Sequence, residues 1–161
     1  MDKVYAHLGI IYKICNLYAA REEQDDLKQE IIYQLWKSYP GFKGDSGFQT
    51  WMYRVALNTA MLGLRAQKLK YRSLSNYEHK ISDDHFERQE EEARLEQLYK
   101  QISKLNDLDK SIIFLYLEKC SYQEIAEITG ISAKNVSVRL VRIRENLRKK
   151  LHIQNQRYEK G

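Results

Sequence analysis

Proline is nearly absent from this 161-residue sequence, in which Pro40 is the only one. Segments that alternate apolar and polar residues, the pattern of half-buried strands, are also missing. Apolar residues instead recur three and four positions apart along most of the chain, which is the spacing of one helix face. The sequence therefore predicts an all-α fold.

Cysteine and histidine are scarce as well, and neither forms a pattern. Cys15 and Cys120 are far apart, so we expect two structural thiols of a reducing compartment instead of a disulfide framework. The four histidines are equally scattered: His7, His79, His85 and His152. Because no ligand set with Cys or acidic residues emerges, the sequence predicts neither a metal site nor a cofactor.

Long apolar runs are missing too. No run approaches the roughly 20 residues that span a bilayer. The first residues, Met1 to Tyr5, lack the charged-then-apolar layout of a signal peptide. We therefore expect a cytoplasmic protein without membrane insertion.

Charge is distributed unevenly along the chain. Lys and Arg number 27 against 22 Asp and Glu, which gives a net charge of +5. Basic residues dominate from Arg54 to Arg72 and from Ala133 to Lys150, whereas acidic residues concentrate in Glu22–Glu30 and Asp83–Glu96. This alternation predicts separate basic surfaces, which are compatible with a polyanionic partner.

The helical pattern breaks twice. Apolar spacing predicts one helix from Val4 to Tyr18 and a second around Leu27 to Trp36, before a Pro- and Gly-containing loop at residues 40–47. Ser46 and Gln49 fit a capping box, which predicts a third helix from near Gly47 to about Leu69. Residues 73–87 are polar and aperiodic. We therefore predict two small helical domains, 1–72 and 88–161, joined by a flexible linker at 73–87.

The second domain contains the sharpest local signal. Asn106 is a plausible N-cap, Ser121 and Glu124 form a capping box, Gly130 suits a helix end, and Ser132 caps the next helix. The apolar stripe of that last helix is Val136, Leu140, Ile143, Leu147 and Leu151. A short helix, a Gly-containing turn and a basic second helix are typical of a helix-turn-helix.

This motif predicts DNA binding, because the basic residues lie opposite the apolar stripe. The alternative is a helical hairpin with a solvated basic face. The residues predicted to point away from the core and toward base edges are Lys134, Asn135, Ser137, Val138, Arg139, Val141 and Arg142. Four basic residues farther along are predicted to meet phosphates: Arg144, Arg148, Lys149 and Lys150.

Aromatic and basic residues also interleave between Phe42 and Asn58. Such a segment can stack on unpaired bases while its cations neutralise phosphates. The alternative is core packing, which composition alone favours, since Phe48, Trp51 and Val55 have helical spacing.

Two stretches carry a family resemblance. Asp26-Leu27-Lys28-Gln29-Glu30, Trp36 and residues 42–58 closely resemble the promoter-melting domain of extracytoplasmic-function (ECF) sigma factors. Residues 121–132 resemble that family's second domain, as do five residues that follow: Val136, Arg139, Leu140, Arg142 and Leu147. Both stretches occur in the family's order with a suitable linker, so the resemblance covers nearly the whole chain.

The resemblance implies a role for each stretch. Asp26, Gln29 and Glu30 match positions that contact a coiled coil on the largest subunits of RNA polymerase. The helix that faces the melting minus-ten element would carry Trp51, Tyr53, Arg54 and Asn58. The basic residues near the place where the family captures a flipped base would be Lys68, Lys70 and Arg72. The helix that reads the minus-thirty-five element would carry Lys134, Asn135, Ser137, Val138, Arg139 and Arg142, with Lys149 on the DNA backbone.

The sequence also departs from the family. Leu62-Gly63 stands where Asp-Arg is frequent, and Asn106 where Pro is frequent. Two other functions fit the sequence less well. A dimeric helix-turn-helix regulator leaves the first resemblance unexplained. A nucleic-acid enzyme needs clustered carboxylates or a metal set, whereas the acidic residues here lie on the predicted linker and on a helix predicted to face a partner. We therefore predict a non-enzymatic sigma factor whose partners are core RNA polymerase and promoter DNA. Whether an anti-sigma factor binds it is left open by the sequence.

Overall fold

The computed structural model of the chain describes residues 2–71 and 90–158, which form helices and turns without a strand. The predicted all-α class is confirmed. The chain divides into two compact units, Met1–Asp83 and Asp84–Gly161. The predicted linker at residues 73–87 lies outside the described residues, and the domain limits at 72 and 88 stay a prediction.

Residues 2–71 of unit 1 form four helices: α1 (Asp2–Tyr5), α2 (Leu8–Tyr18), α3 (Gln24–Ser38) and α4 (Phe48–Tyr71). Short 3-10 turns at Arg21–Glu23 and Tyr39–Gly41 flank α3. The single helix predicted from Val4 to Tyr18 is wrong, because the backbone of His7 (φ −119°, ψ 21°) leaves the helical region and separates α1 from α2.

The core of unit 1 is formed where α2, α3 and α4 pack against one another. The large side chains that are completely or almost completely buried there are Ile11, Ile14, Ile31, Leu35, Met52 and Leu57. Burying each of them contributes roughly 1.5–3 kcal/mol relative to leaving it exposed. Helix α4 begins one residue later than a Ser46 cap requires, since its first helical bond joins the Trp51 amide to the Gly47 carbonyl at 3.0 Å.

Unit 2 contains α5 (Glu90–Ser103), α6 (Asp107–Leu117), α7 (Tyr122–Thr129) and α8 (Ala133–Tyr158). Helix α8 contacts each of the other three. Four residues of its predicted apolar stripe are buried: Val136, Leu140, Ile143 and Leu147. Leu151, the last of the stripe, is only partly buried.

The predicted helix caps of unit 2 are confirmed. The side chain of Asn106 accepts from the Asp109 amide at 2.9 Å, and Ser121 and Glu124 form a reciprocal capping box. Gly130 ends α7 in the left-handed conformation, with φ 75°. Ser132 Oγ accepts from the Asn135 amide at 3.2 Å. The left-handed Gly130 and the Ser132 cap together define the short turn between α7 and α8.

The capping box makes the stability of unit 2 depend on pH. The amide and hydroxyl of Ser121 donate to Glu124 Oε2 at 2.7 and 2.8 Å, and these bonds lower the pKa of Glu124 below its usual 4.5. A carboxyl group whose pKa is lower in the folded state than in the unfolded state stabilises the fold. This contribution is fully present above the unfolded-state pKa, and it is lost as the pH falls through the folded-state pKa.

We therefore expect a Glu124→Gln variant to show a flatter dependence of thermal stability on pH below about 4.5. The glutamine oxygen accepts the same bonds but does not titrate. Ser121→Ala, which removes the reciprocal bond, should cost about 1 kcal/mol at neutral pH. Circular-dichroism melting between neutral and acid pH measures both effects, and parallel pH profiles of Glu124→Gln and the parent would contradict the first.

The two thiols are poorly suited to chemistry. Cys15 is buried and Cys120 partly buried, and burial raises the pKa of each thiol to about 11. Few thiolates therefore exist at neutral pH. Within residues 2–71 and 90–158, no three His, Cys, Asp or Glu side chains form a group that could hold a metal ion. No helix in this part of the chain has the length and apolar character needed to cross a membrane.

Candidate nucleic-acid and polymerase interfaces

Helix α8 presents a continuous exposed face opposite its buried stripe. Val138 and Val141 lie on this face and are 62% and 56% exposed. Four predicted DNA contacts besides Val138 are also exposed: Lys134, Asn135, Arg142 and Lys149. Ser137 is partly buried. This face combines hydrogen-bond donors with apolar groups that can contact a thymine methyl.

Arg139 does not belong to that exposed face. Its Nη1 donates to Asp109 Oδ1 on α6 at 2.7 Å, and its side chain is 33% exposed. The prediction that it points away from the core, toward base edges, does not describe this arrangement. The physical reason is its position on the flank of the buried stripe, beside Val136 and Ile143, from which a long side chain reaches α6.

Asp109 is a residue that the sequence interpretation missed. Its side chain is 10% exposed, and both carboxylate oxygens have partners. Oδ1 accepts from Arg139, Oδ2 accepts from Asn106 Nδ2 at 2.7 Å, and Arg142 Nη2 lies 3.9 Å from Oδ2. The cap at Asn106 was the available signal, because an Asp three residues after an N-cap can bond back to it.

The departure at Asn106 thereby gains a structural account. Asn106 accepts from the amide of Asp109 and donates to its carboxylate, so one side chain both caps α6 and holds the acid. A proline at this position has no side-chain donor or acceptor and provides neither bond.

Unit 1 has a groove of roughly 830 Å³ between α3 and α4. Asp26 and Glu30 of α3 line one wall, and Asn58, Leu62 and Gly63 of α4 line the other. Two of the predicted polymerase contacts therefore share a groove with a predicted melting residue. The Leu62-Gly63 departure also lies here, and it leaves Leu62 64% exposed.

Two large aromatic side chains extend the exposed side of α3. Tyr33 and Trp36 are 49% and 60% exposed, and their ring centroids lie 6.4 Å apart. They follow Asp26 and Glu30 at helical spacing, so all four lie on one side of α3 together with Gln29. In the sequence, Trp36 belongs to the apolar spacing that predicts this helix, which gives no sign of its exposure. We call the set Asp26, Gln29, Glu30, Tyr33 and Trp36 the α3 face.

Trp51 is packed among other aromatic rings. Its centroid lies 5.1 Å from Phe42, 5.5 Å from Phe48 and 6.1 Å from Tyr39. The packing interpretation that composition favoured therefore describes its surroundings, although the ring stays partly accessible.

The other predicted melting residues divide into three groups. Arg54 is partly exposed and Asn58 is exposed, and both lie on the side of α4 that carries Trp51. Tyr53 is 6% exposed and lies on the opposite side of the helix, in the core, so it is not available to stack on a base in this structure. Lys68 and Lys70 belong to the last turns of α4, where only the backbone is described, and Arg72 lies outside the described residues.

Comparisons with known proteins match both units. Residues 4–69 match the family described as sigma-70 region 2, and residues 95–147 match sigma-70, region 4. The ECF RNA polymerase sigma-E factor of Haemophilus influenzae is 32% identical over 146 residues, which cover 83% of this chain and 77% of that protein. The sigma-E factor of Escherichia coli K12 is 31% identical over 156 residues, 87% of this chain and 81% of that protein.

Solved structures show the same fold. The structure of the sigma factor RpoE in complex with the anti-sigma factor NepR from Bartonella quintana matches with a TM-score of 0.73 at 18% identity, covering 94% of this chain and 98% of that chain. The structure of CnrH in complex with the cytosolic domain of CnrY matches with a TM-score of 0.65 at 21% identity, covering 94% and 87%.

Proposed function

Because the chain belongs to the ECF RNA polymerase sigma factors, we propose that its two units divide promoter recognition between them. Unit 2 reads the minus-thirty-five element, while unit 1 binds core RNA polymerase and assists DNA melting at the minus-ten element. The observation that carries this proposal is the exposed face of α8, which is presented by a fully capped helix-turn-helix. A dimeric regulator is not favoured, because it gives no role to the region 2 match.

In unit 2, a major groove admits α8 with its first turns against the base edges. The residues available there are Lys134, Asn135, Ser137, Val138 and Arg142. Lys149 lies about two turns beyond Arg142, where the helix leaves the groove and a cation contacts phosphate. Unit 2 alone supplies a modest contact, and core polymerase adds effective concentration by holding unit 1 on the same DNA.

In unit 1, we assign core polymerase binding to the α3 face. Asp26, Gln29 and Glu30 supply the polar contacts that the family resemblance implies. Tyr33 and Trp36 add exposed rings beside them, and aromatic residues supply much of the energy of protein interfaces. A partner with cations opposite the acids and apolar groups opposite the rings complements this surface.

Melting is assigned to the exposed side of α4, with Arg54, Asn58 and the accessible edge of Trp51. Lys68, Lys70 and Arg72 are proposed to contribute positive charge to the same task. Flipping a base out of the duplex costs a few kcal/mol, which capture by protein groups offsets. The work is binding without bond chemistry, and we propose that it takes place in the cytoplasm.

An anti-sigma protein is a further proposed partner. The NepR complex of Bartonella RpoE shows that a protein of this fold is bound by one. A protein that covers the α3 face of this chain would compete with core polymerase for it.

The melting assignment is tested at Asn58. We expect Asn58→Ala to lower promoter opening about fivefold, as the loss of roughly one hydrogen bond predicts, and to leave core polymerase affinity within about twofold. Permanganate reactivity of thymines near the start site measures opening, and a direct binding titration measures affinity. Gln49→Ala removes an exposed amide on the other side of α4 and is the matched control.

Asn58 lines the same groove as Asp26 and Glu30, so it could instead contact core polymerase. A folded Asn58→Ala protein whose polymerase affinity falls in parallel with opening would assign Asn58 to the polymerase contact. Normal opening would remove it from the proposed function altogether.

A further inference from the structure

A buried acid joins the helix-turn-helix to the helix before it. Asp109 lies in the first turn of α6, and 30 positions separate it from Arg139 on α8. The bond between them is 2.7 Å long, and Asn106 holds the other carboxylate oxygen at the same distance. We call Asn106, Asp109 and Arg139 the Asp109 clamp.

The clamp restricts what Arg139 can do. Turning its guanidinium toward DNA would leave a 10% exposed carboxylate with only a neutral amide donor and the distant Arg142. Removing the partner of a buried charge is costly, because the charge has also lost its water. The ion pair with Asp109 therefore keeps Arg139 away from DNA, although its position in the sequence suits a contact with a base.

Arg142 has the opposite character. Its side chain is 67% exposed, and its Nη2 lies 3.9 Å from Asp109 Oδ2, beyond hydrogen-bond distance. The acid attracts this guanidinium without binding it tightly. Arg142 can therefore turn to a base edge while Arg139 continues to neutralise Asp109.

We propose that Asp109 is a positioning residue for the recognition helix. It fixes Arg139 to α6, which sets the rotation of α8, and it orients Arg142, which becomes the arginine that reads a guanine of the minus-thirty-five element. This inference rests on the proposed function of unit 2. It also changes the expected role of Arg139 from base contact to helix anchor.

The test uses the full chain bound to core polymerase and a promoter library randomised at the minus-thirty-five element. The variants are Asp109→Asn, Arg139→Gln, the double variant, Arg139→Lys and Arg142→Gln. All variants are compared at a temperature at which circular dichroism shows that each has the same helix content as the unsubstituted chain. Asparagine keeps the volume of the acid but has a single acceptor oxygen in place of two.

Asp109→Asn and Arg139→Gln should each reduce the discrimination between promoter sequences by about tenfold in total. The reduction should be spread over the same several base pairs in both variants. Because they break one interaction, the double variant should lose at most about twofold more than either single variant. Arg139→Lys should retain most of the preference, since a single donor replaces Nη1. Arg142→Gln should flatten only one or two base pairs.

Three results would overturn the assignment. Arg139→Gln that flattens one base pair while Asp109→Asn preserves the profile would make Arg139 a base reader. If Asp109→Asn and Arg139→Gln lower the melting temperature but leave the base preferences intact, the clamp serves stability alone. If the loss of base preference in the double variant is the sum of the two single losses, Asp109 and Arg139 act separately. A parent chain that shows no base preference with core polymerase would instead overturn the proposed function of unit 2. If Asp109→Asn fails to fold, the contrast between Arg139→Lys and Arg139→Gln still decides.

Discussion

Glu30→Lys is expected to lower the affinity of the chain for core RNA polymerase by about tenfold or more. Glu30 is exposed on the α3 face and accepts a hydrogen bond from Gln34 Nε2 at 2.8 Å, which keeps its carboxylate on this side of the helix. A lysine there would meet the cations of a complementary partner, and like charges placed together across an interface cost several kcal/mol.

The control for Glu30→Lys is Glu22→Lys. Glu22 is exposed in the 3-10 turn before α3, so its reversal changes the net charge equally without altering the α3 face. A fluorescence titration of labelled chain with core polymerase measures both affinities, and the melting curve of each variant checks its fold. Equal affinities of the two variants would remove Glu30 from the proposed interface.

Leu140→Ala is expected to destabilise unit 2 by about 2–5 kcal/mol. Leu140 is 1% exposed in the first half of α8, a helix that packs on its three neighbours, so truncation leaves a cavity. The whole stability of a domain is about 5–15 kcal/mol, and unit 2 should therefore unfold at a much lower temperature. Selection of the minus-thirty-five element should be lost with it.

Intrinsic fluorescence separates the two units in this experiment. Both tryptophans of the chain, Trp36 and Trp51, belong to unit 1. Leu140→Ala should therefore shift the transition seen by circular dichroism but not the one seen by tryptophan fluorescence. Val138→Ala, at a 62% exposed position of the same helix, should change stability by less than about 0.5 kcal/mol. A fluorescence transition that shifts equally would contradict the independence of the units.

The fold was predictable wherever the signal is local in sequence. Helix caps need residues only three positions apart, so Asn106, Ser121 and Ser132 could be assigned from the sequence. Gly130 could be assigned for the same reason, since its left-handed backbone is a property of one residue. The break at His7 carried no such signal, because apolar spacing continues through it from Val4 to Leu8.

The candidate interfaces were harder to predict, because exposure depends on what packs nearby. An aromatic residue in an apolar pattern is usually core, and this holds for Tyr53 but not for Trp36. The pairing of Arg139 with Asp109 joins two helices across 30 positions. Spacing along α8 shows on which side Arg139 lies, but it carries no information about the acid that meets it.

The division of α8 into buried and exposed positions has a consequence for how promoter preference can be changed. Val136, Leu140 and Ile143 are buried where the helix packs, whereas Lys134, Val138 and Arg142 are exposed on its other side. Exposed positions usually accept substitution at a cost below about 0.5 kcal/mol. If α8 reads the promoter as proposed, libraries restricted to these positions should redirect the chain to new promoters on an unchanged scaffold, which would make it a starting point for orthogonal transcription circuits.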